Sequence, residues 1–133
     1  MFSVNIQNSP VITVAGGKHQ VSYSVDGALM NPLEAFYATL AGCAAVYAKK
    51  ACKELGISAE GIRIDSKPFA GPKGALSLGK FKTEVTFPAS FPEEQRAKVL
   101  DAIKHCAVKE IVVGGADIDF AVTEKQVDQA MVR

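Results

Sequence analysis

The stretch from Asn31 to Gly56, NPLEAFYATLAGCAAVYAKKACKELG, decides the fold. It opens as a helix start. Asn31 can cap, Pro32 takes the first helical position, where its missing N–H costs nothing, and Glu34 can close a capping box with Asn31. The far end is equally marked: Lys49, Lys50 and Lys53 suit the negative helix terminus, and Gly56 suits the position after the C-cap. From Leu33 to Ala48 only Glu34 and Thr39 are clearly polar. A helix that is apolar all round is expected to be buried on every side, and this one is shorter than the ~20 apolar residues of a bilayer span and carries a glutamate. Surrounding it takes more surface than a small two-layer domain of 133 residues readily supplies, so a partner subunit is expected to cover the rest.

Upstream, apolar residues recur at period two: Phe2, Val4 and Ile6, then Val11 to Val14 after Ser9-Pro10, then Val21, Tyr23 and Val25. These read as strands, with a hairpin turn at Gly16-Gly17, where glycine supplies a positive φ cheaply. As a phosphate cradle Gly16-Gly17-Lys18 is weak, because no helix comes after it. Downstream, Ile57 to Asp65 reads as a strand, Phe69 to Gly79 as a Gly- and Pro-rich mobile loop, and Phe81, Val85 and Phe87 as another strand. A second helix is expected after Pro88, with Ser90 and Glu93 as a capping box and Val99, Ile103 and Cys106 on one apolar stripe. Ile111 to Val113 continue that helix or open another short one, Gly114-Gly115 ends it, and Ile118, Phe120 and Val122 are expected to form a closing strand. The tail from Lys125 to Arg133 is too short to assign. The order predicts a single α+β domain over residues 1–133 with a largely antiparallel sheet.

A hydrophobic fraction of 48% with 22% charged residues suits a globular chain, and a net charge of +1 gives no footprint for a phosphate backbone or an anionic membrane. Neither nucleic acid nor a membrane is expected as a partner. The first residues alternate polar and apolar without a signal-peptide pattern, so a cytoplasmic location is expected. Three cysteines, an odd number spread through the chain, do not resemble a disulfide framework. With no CxxC pair and two isolated histidines, His19 and His105, neither a metal site nor a cofactor is expected.

Cys43 lies after Gly42 in the most apolar part of the chain. Alone it reads as a small buried hydrophobe sooner than as a reactive thiol. Cys106, on the expected stripe of the second helix, would let both sulfurs face a shared interior, and they form a redox pair only where their Cα atoms come within roughly 7 Å. Cys52 lies nine residues from Cys43, which at about 100° per residue is the opposite side of the helix. It reads as packing.

The Asn-Pro helix start with its Leu-Ala-Gly-Cys-Ala-Ala core, together with the HCAVKE segment around Cys106, resembles the OsmC/Ohr family of hydroperoxide-handling proteins. The Gly-Gly turn upstream and the short closing strand are similar too. The resemblance implies antiparallel sheets wrapped around a long buried central helix in an intertwined homodimer, with active sites between the chains. It further implies a thiol peroxidase in which Cys43 attacks an organic hydroperoxide and becomes a sulfenic acid. Cys106 then closes a Cys43–Cys106 disulfide, which a small dithiol or lipoyl-type reductant reopens. Phe36, Tyr37, Leu40 and Tyr47 are expected to line an apolar substrate pocket. Where that family pairs an arginine after the Gly-Gly turn with a glutamate after the Asn-Pro, this chain has Lys18 and Leu33, and its proline after the second cysteine is Ala107. Lys18 is a candidate thiolate partner or a solvated turn lysine; Glu34 is a candidate catalytic carboxylate or only a helix cap. His105 is a candidate proton donor or a surface residue. The alternative to an enzyme is a binding protein that holds a small apolar ligand in the same pocket, its cysteines serving mainly as packing.

Overall fold

The computed structural model of the chain describes residues 1–123; the unassigned tail from Lys125 to Arg133 lies outside them. The period-two residues at the start form an antiparallel meander of β1 (Phe2–Val4), β2 (Val11–Gly16) and β3 (His19–Ser24). Register runs from Phe2 opposite Gly16 to Val11 opposite Ser24. Gly17, at φ 61°, makes the turn, as its lack of a Cβ allows. Gly16 has a different task. A Cβ there would stand 2.5 Å from the Phe2 ring, so the glycine seats the aromatic and pins the register. None of the three strands packs extensively against the rest of the described chain. Ser24 ties the meander to the residues just before the first helix: its hydroxyl accepts the Leu29 N–H at 2.8 Å, and its own N–H donates to the Met30 carbonyl.

Helix α1 (Pro32–Leu55) starts and stops where its caps predict. Asn31 Oδ1 accepts the Glu34 N–H at 2.8 Å and Glu34 Oε1 accepts the Asn31 N–H at 3.2 Å, which satisfies two orphan donors reciprocally. Gly56, at φ 70°, ends it, with the Ile57 N–H returning to the Cys52 carbonyl. Within one chain α1 is buried along one side. The buried residues are Leu40, Ala44, Ala48, Ala51 and Cys52, a single stripe, while Phe36 and Val46 remain 40% and 48% exposed. The reason is geometric: the chain supplies one helical layer and one hairpin, and they cover one side of α1.

The expected mobile loop from Phe69 to Gly79 is also corrected. These residues belong to a long hairpin of β4 (Arg63–Gly71) and β5 (Gly74–Thr86). Phe69 faces Lys80 and Ala70 faces Leu78, so Gly79 is the extra residue of a bulge. A Cβ on Gly79 would come 3.0 Å from the Gly71 Cα and 3.1 Å from the Ala70 carbonyl oxygen. Glycine here permits a close approach of two strands instead of marking a loop.

The Ser90–Glu93 capping box does not form. A 3-10 turn, Glu93–Gln95, opens at Pro92 without any side-chain cap, and α2 (Arg96–Lys104) continues from it. Pro92 suits the tighter turn, since its fixed φ is helical and its carbonyl accepts the Gln95 N–H. After α2 the His105 and Cys106 N–H groups bond back to Ala102 and Ile103, and α3 (Ala107–Gly114) sets off separately. Gly115, at φ 70°, closes it. The expected closing strand is absent among the described residues: Ile118, Phe120 and Val122 pair with nothing and are almost fully exposed. Alternation assigns faces to a strand but cannot supply the edge it must bond to.

The core lies between the alanine stripe of α1 and the Phe91, Val99 and Ile103 side chains of the opposing layer, with Ile64, Val85 and Phe87 packed at its border. Val99 is fully buried, a contribution of about 1.5–3 kcal/mol. The architecture is α+β with two antiparallel sheets. Among the described residues no helix is long and apolar enough to cross a membrane.

Candidate active site

Cys43 sits on α1 at the flank of the buried stripe, between Leu40 and Ala44, and is half-buried. Cys106 reaches it from another element than expected. It is not on the stripe of α2, which ends at Lys104, but is the extended N-cap residue of α3, with φ −64° and ψ 145° and 3% exposure. The short α2 delivers the chain to the α1 flank, and the break at His105 turns Cys106 inward. All three cysteines are free thiols.

The surroundings of Cys106 show how the two thiols meet. Burial pushes its thiol up, and the Lys109 backbone N–H, aimed at the sulfur without closing a capping hydrogen bond, draws it down. The Cys43 side chain, near enough to act both as a hydrogen-bond partner and as a like charge, raises it further, and the Lys109 ammonium opposes that. The first two sequence candidates are therefore close enough to influence one another.

Beside them opens a cleft of about 740 Å³. Leu40 of α1, Phe81 and Val85 of β5, and Leu100 and Ile103 of α2 give it an apolar wall; Cys106 is among the lining residues, and Cys43, one position before the lining Ala44, is not. Lys80, Lys104 and Lys109 also line it, and among the described residues no aspartate or glutamate does. This combination offers an apolar slot at the Cys106 thiol in a positive surround.

Of the four expected pocket residues, Leu40 lines this cleft. Tyr37 lies one layer behind, stacked on Phe81 with ring centroids 5.9 Å apart. Phe36 meets Tyr37 edge-on at 5.8 Å, and Tyr47 carries the Lys50 ammonium 5.1 Å above its ring; neither lines the cleft. Phe36, Cys43 and Tyr47 nevertheless share a face of α1, being seven and four residues apart. Lys18 stands exposed on the β2–β3 turn and Glu34 is engaged in the cap of α1, so the structure brings neither to the cleft. His105 lines it at an exposed position, its Nδ1–H donating to the Asp101 carbonyl at 2.8 Å. Cys52, 1% exposed, is packed in the core on the far side of α1 from Cys43, and burial pushes its thiol up. The residue that sequence reasoning passed over is Lys109. Its signal was present in Cys106-Ala-Val-Lys109: a side chain three residues after an N-cap returns over that cap.

Fold comparison points the same way. The chain is similar to an OsmC like protein from Mycoplasma pneumoniae, at 14% identity and a TM-score of 0.69 over 86% of each chain. It is also similar to a protein from Psychrobacter arcticus 273-4 described as an osmotic stress induced and detoxification response protein, at 12% identity and a TM-score of 0.67 over 82% of this chain and 85% of the other. At such identities the likeness is one of fold. No curated protein matches the sequence. The family model of OsmC-like proteins matches residues 25–121, a span that begins after the meander carrying Lys18 and takes in α1, the hairpin and both facing cysteines. With most of its length matched in sequence and its topology shared with these structures, the chain belongs to the OsmC-like protein family.

Proposed function

We propose that this protein is a thiol-dependent peroxidase that reduces organic hydroperoxides through Cys43 and Cys106. The observation that carries it is the meeting of a half-buried Cys43 with a buried Cys106 beside an apolar cleft. Cys43, the more accessible sulfur, attacks the terminal peroxide oxygen as its thiolate. The O–O bond breaks, the alkoxide takes up a proton and leaves as alcohol, and Cys43 becomes a sulfenic acid. The Cys106 sulfur then attacks the Cys43 sulfur, water leaves, and a disulfide remains; two electrons from a small dithiol restore both thiols. The apolar wall favours peroxides with alkyl or aryl tails over hydrogen peroxide. The detoxification response for which the Psychrobacter protein is described is in keeping with such chemistry. A cytoplasmic setting suits three free cysteines. An intertwined homodimer suits the uncovered Phe36 and Val46 of α1 and a meander that packs mainly on itself.

The test is consumption of cumene hydroperoxide by the purified chain with dihydrolipoamide as reductant. Turnover by wild type, its loss in Cys43→Ser, and a Cys43–Cys106 link found by peptide mapping after substoichiometric peroxide are expected. A link to Cys52 would overturn the assigned roles. A second reading has its own observation: Lys18 and Glu34 both stand away from the cleft, so the family's cation and carboxylate pair is not assembled there. Under that reading the cleft holds a small apolar ligand. A wild type as inert as Cys43→Ser, yet binding such a ligand saturably, would establish it.

A further inference from the structure

The peroxidase reading leaves one requirement unmet by the residues the sequence singled out. Cys106 is buried, and burial holds a sulfur in its neutral form, whereas only the thiolate attacks a sulfenic acid. Lys18 and Glu34 do not line the cleft. Lys80 from β5, Lys104 and His105 from the end of α2, and Lys109 from α3 line the cleft with Cys106, Cys43 of α1 lies near it, and among the described residues no carboxylate lines the cleft. Lys109 differs from the other cations in coming three residues after Cys106, one helical turn from the N-cap that the sulfur occupies. Both residues line the cleft, and the Lys109 N–H and, more weakly, its ammonium oppose the upward push that burial gives the Cys106 thiol. The one ion-pair partner of Lys109, Glu110, is its sequence neighbour, 3.4 Å away, with both side chains about half exposed. Such a pair is worth little and leaves most of the ammonium's field for the cleft.

We infer that Lys109 is the positioning residue for disulfide closure, favouring ionisation of Cys106 beside Cys43 and thereby tuning the rate and pH dependence of the resolving step. The inference rests on the peroxidase reading and assigns within it a cation that the chain carries on α3. In that step the Cys106 thiol gives its proton to solvent, its sulfur pair forms the S–S bond, the Cys43 S–O bond breaks, and the departing hydroxide takes a proton to leave as water. Lys109 neither gains nor loses a proton.

The experiment mixes reduced protein with one equivalent of cumene hydroperoxide in the absence of reductant. Sulfenic acid is trapped with dimedone and disulfide is quantified over time across the thiol titration range. In Lys109→Met, closure is expected to slow about fivefold near neutral pH and its midpoint to rise by about half a unit to one unit, a half-exposed charge acting at short range. Formation of the Cys43 sulfenic acid is followed in the same reactions so that closure is timed from it, and Lys109→Arg should restore closure. Closure in Lys109→Met with wild-type rate and midpoint would overturn the assignment, as would an equal defect in the Met and Arg variants, which marks a structural role. A peroxide-free readout separates this from the parent reading. In a Cys43→Ser, Cys52→Ala background only Cys106 remains, and its thiolate absorbance titrates directly. There Lys109→Met should raise the midpoint, and an unmoved midpoint sinks the role of Lys109. Failure of wild type to consume hydroperoxide would instead sink the peroxidase reading.

Discussion

Replacing Cys52 separates a packing cysteine from Cys43 and Cys106, which lie near each other. Its side chain is 1% exposed among Ala48, Val99 and Ile103. Cys52→Ala removes one methylene-sized group, about 0.8 kcal/mol of transfer free energy, and leaves a small void, so a total loss of about 1–2 kcal/mol is expected. Cys52→Ser keeps the volume but buries a hydroxyl whose sole ready acceptor is a carbonyl one turn back in its own helix. That costs about 1–3 kcal/mol, and serine should be no better tolerated than alanine. In a chain of 133 residues each kcal/mol moves Tm by about 3–5 °C, so urea unfolding and thermal melts at fixed protein concentration resolve the series. The pH dependence has a definite sign. Burial raises the folded thiol of Cys52 above its unfolded value, so its contribution is complete below the unfolded pKa of about 8.5 and declines as pH rises through the folded pKa. The gap between wild type and Cys52→Ala should therefore narrow in alkali. Hydroperoxide turnover per folded molecule should be the same in both. A gap that widens with pH, or a folded Cys52→Ala protein without turnover, would refute the assignment of Cys52 to the core.

Two further substitutions test local features. Asn31→Ala should cost about 1 kcal/mol in urea unfolding through loss of the cap, whereas Glu34→Gln can still close the box and should leave turnover at the wild-type level; a collapse of turnover in Glu34→Gln would place its charge at the site. Gly79→Ala drives a Cβ to 3.0 Å from the Gly71 Cα, so amide exchange from Phe69 to Leu78 should accelerate while α1 keeps its protection, and an unchanged hairpin would show that the bulge yields without cost.

Local chemistry made part of the structure legible in the sequence. Both ends of α1 come from Asn31, Pro32, Glu34 and Gly56 acting on their own backbone neighbours, and the meander comes from alternation and one glycine turn. The errors share a cause, which is that a distant partner decides. Gly71, Gly74 and Gly79 resemble a loop until the two strands are paired, when one of them becomes a bulge and another a point of close approach. Ser90 and Glu93 have a capping spacing, but Pro92 opens a 3-10 turn first. Ile118, Phe120 and Val122 alternate as a strand does, without an edge to join among the described residues. At the site, Cys43 and Cys106 were visible as residue types, while their meeting depends on where α2 ends. Lys18 and Glu34 were candidates by position along the chain, and position does not reveal that one sits on a remote turn and the other is engaged by Asn31.

The alanines facing the opposing layer have a mechanical consequence. Ala44, Ala48 and Ala51 let α2 lie close against α1, and α2 leads within two residues to Cys106. The width of that seam is accordingly the gauge of the gap between the sulfurs. A larger side chain at Ala48 would act as a wedge, lifting α2 and carrying Cys106 off Cys43 with every atom of both thiols untouched. Small residues that take no part in the reaction thus set the stroke of the device.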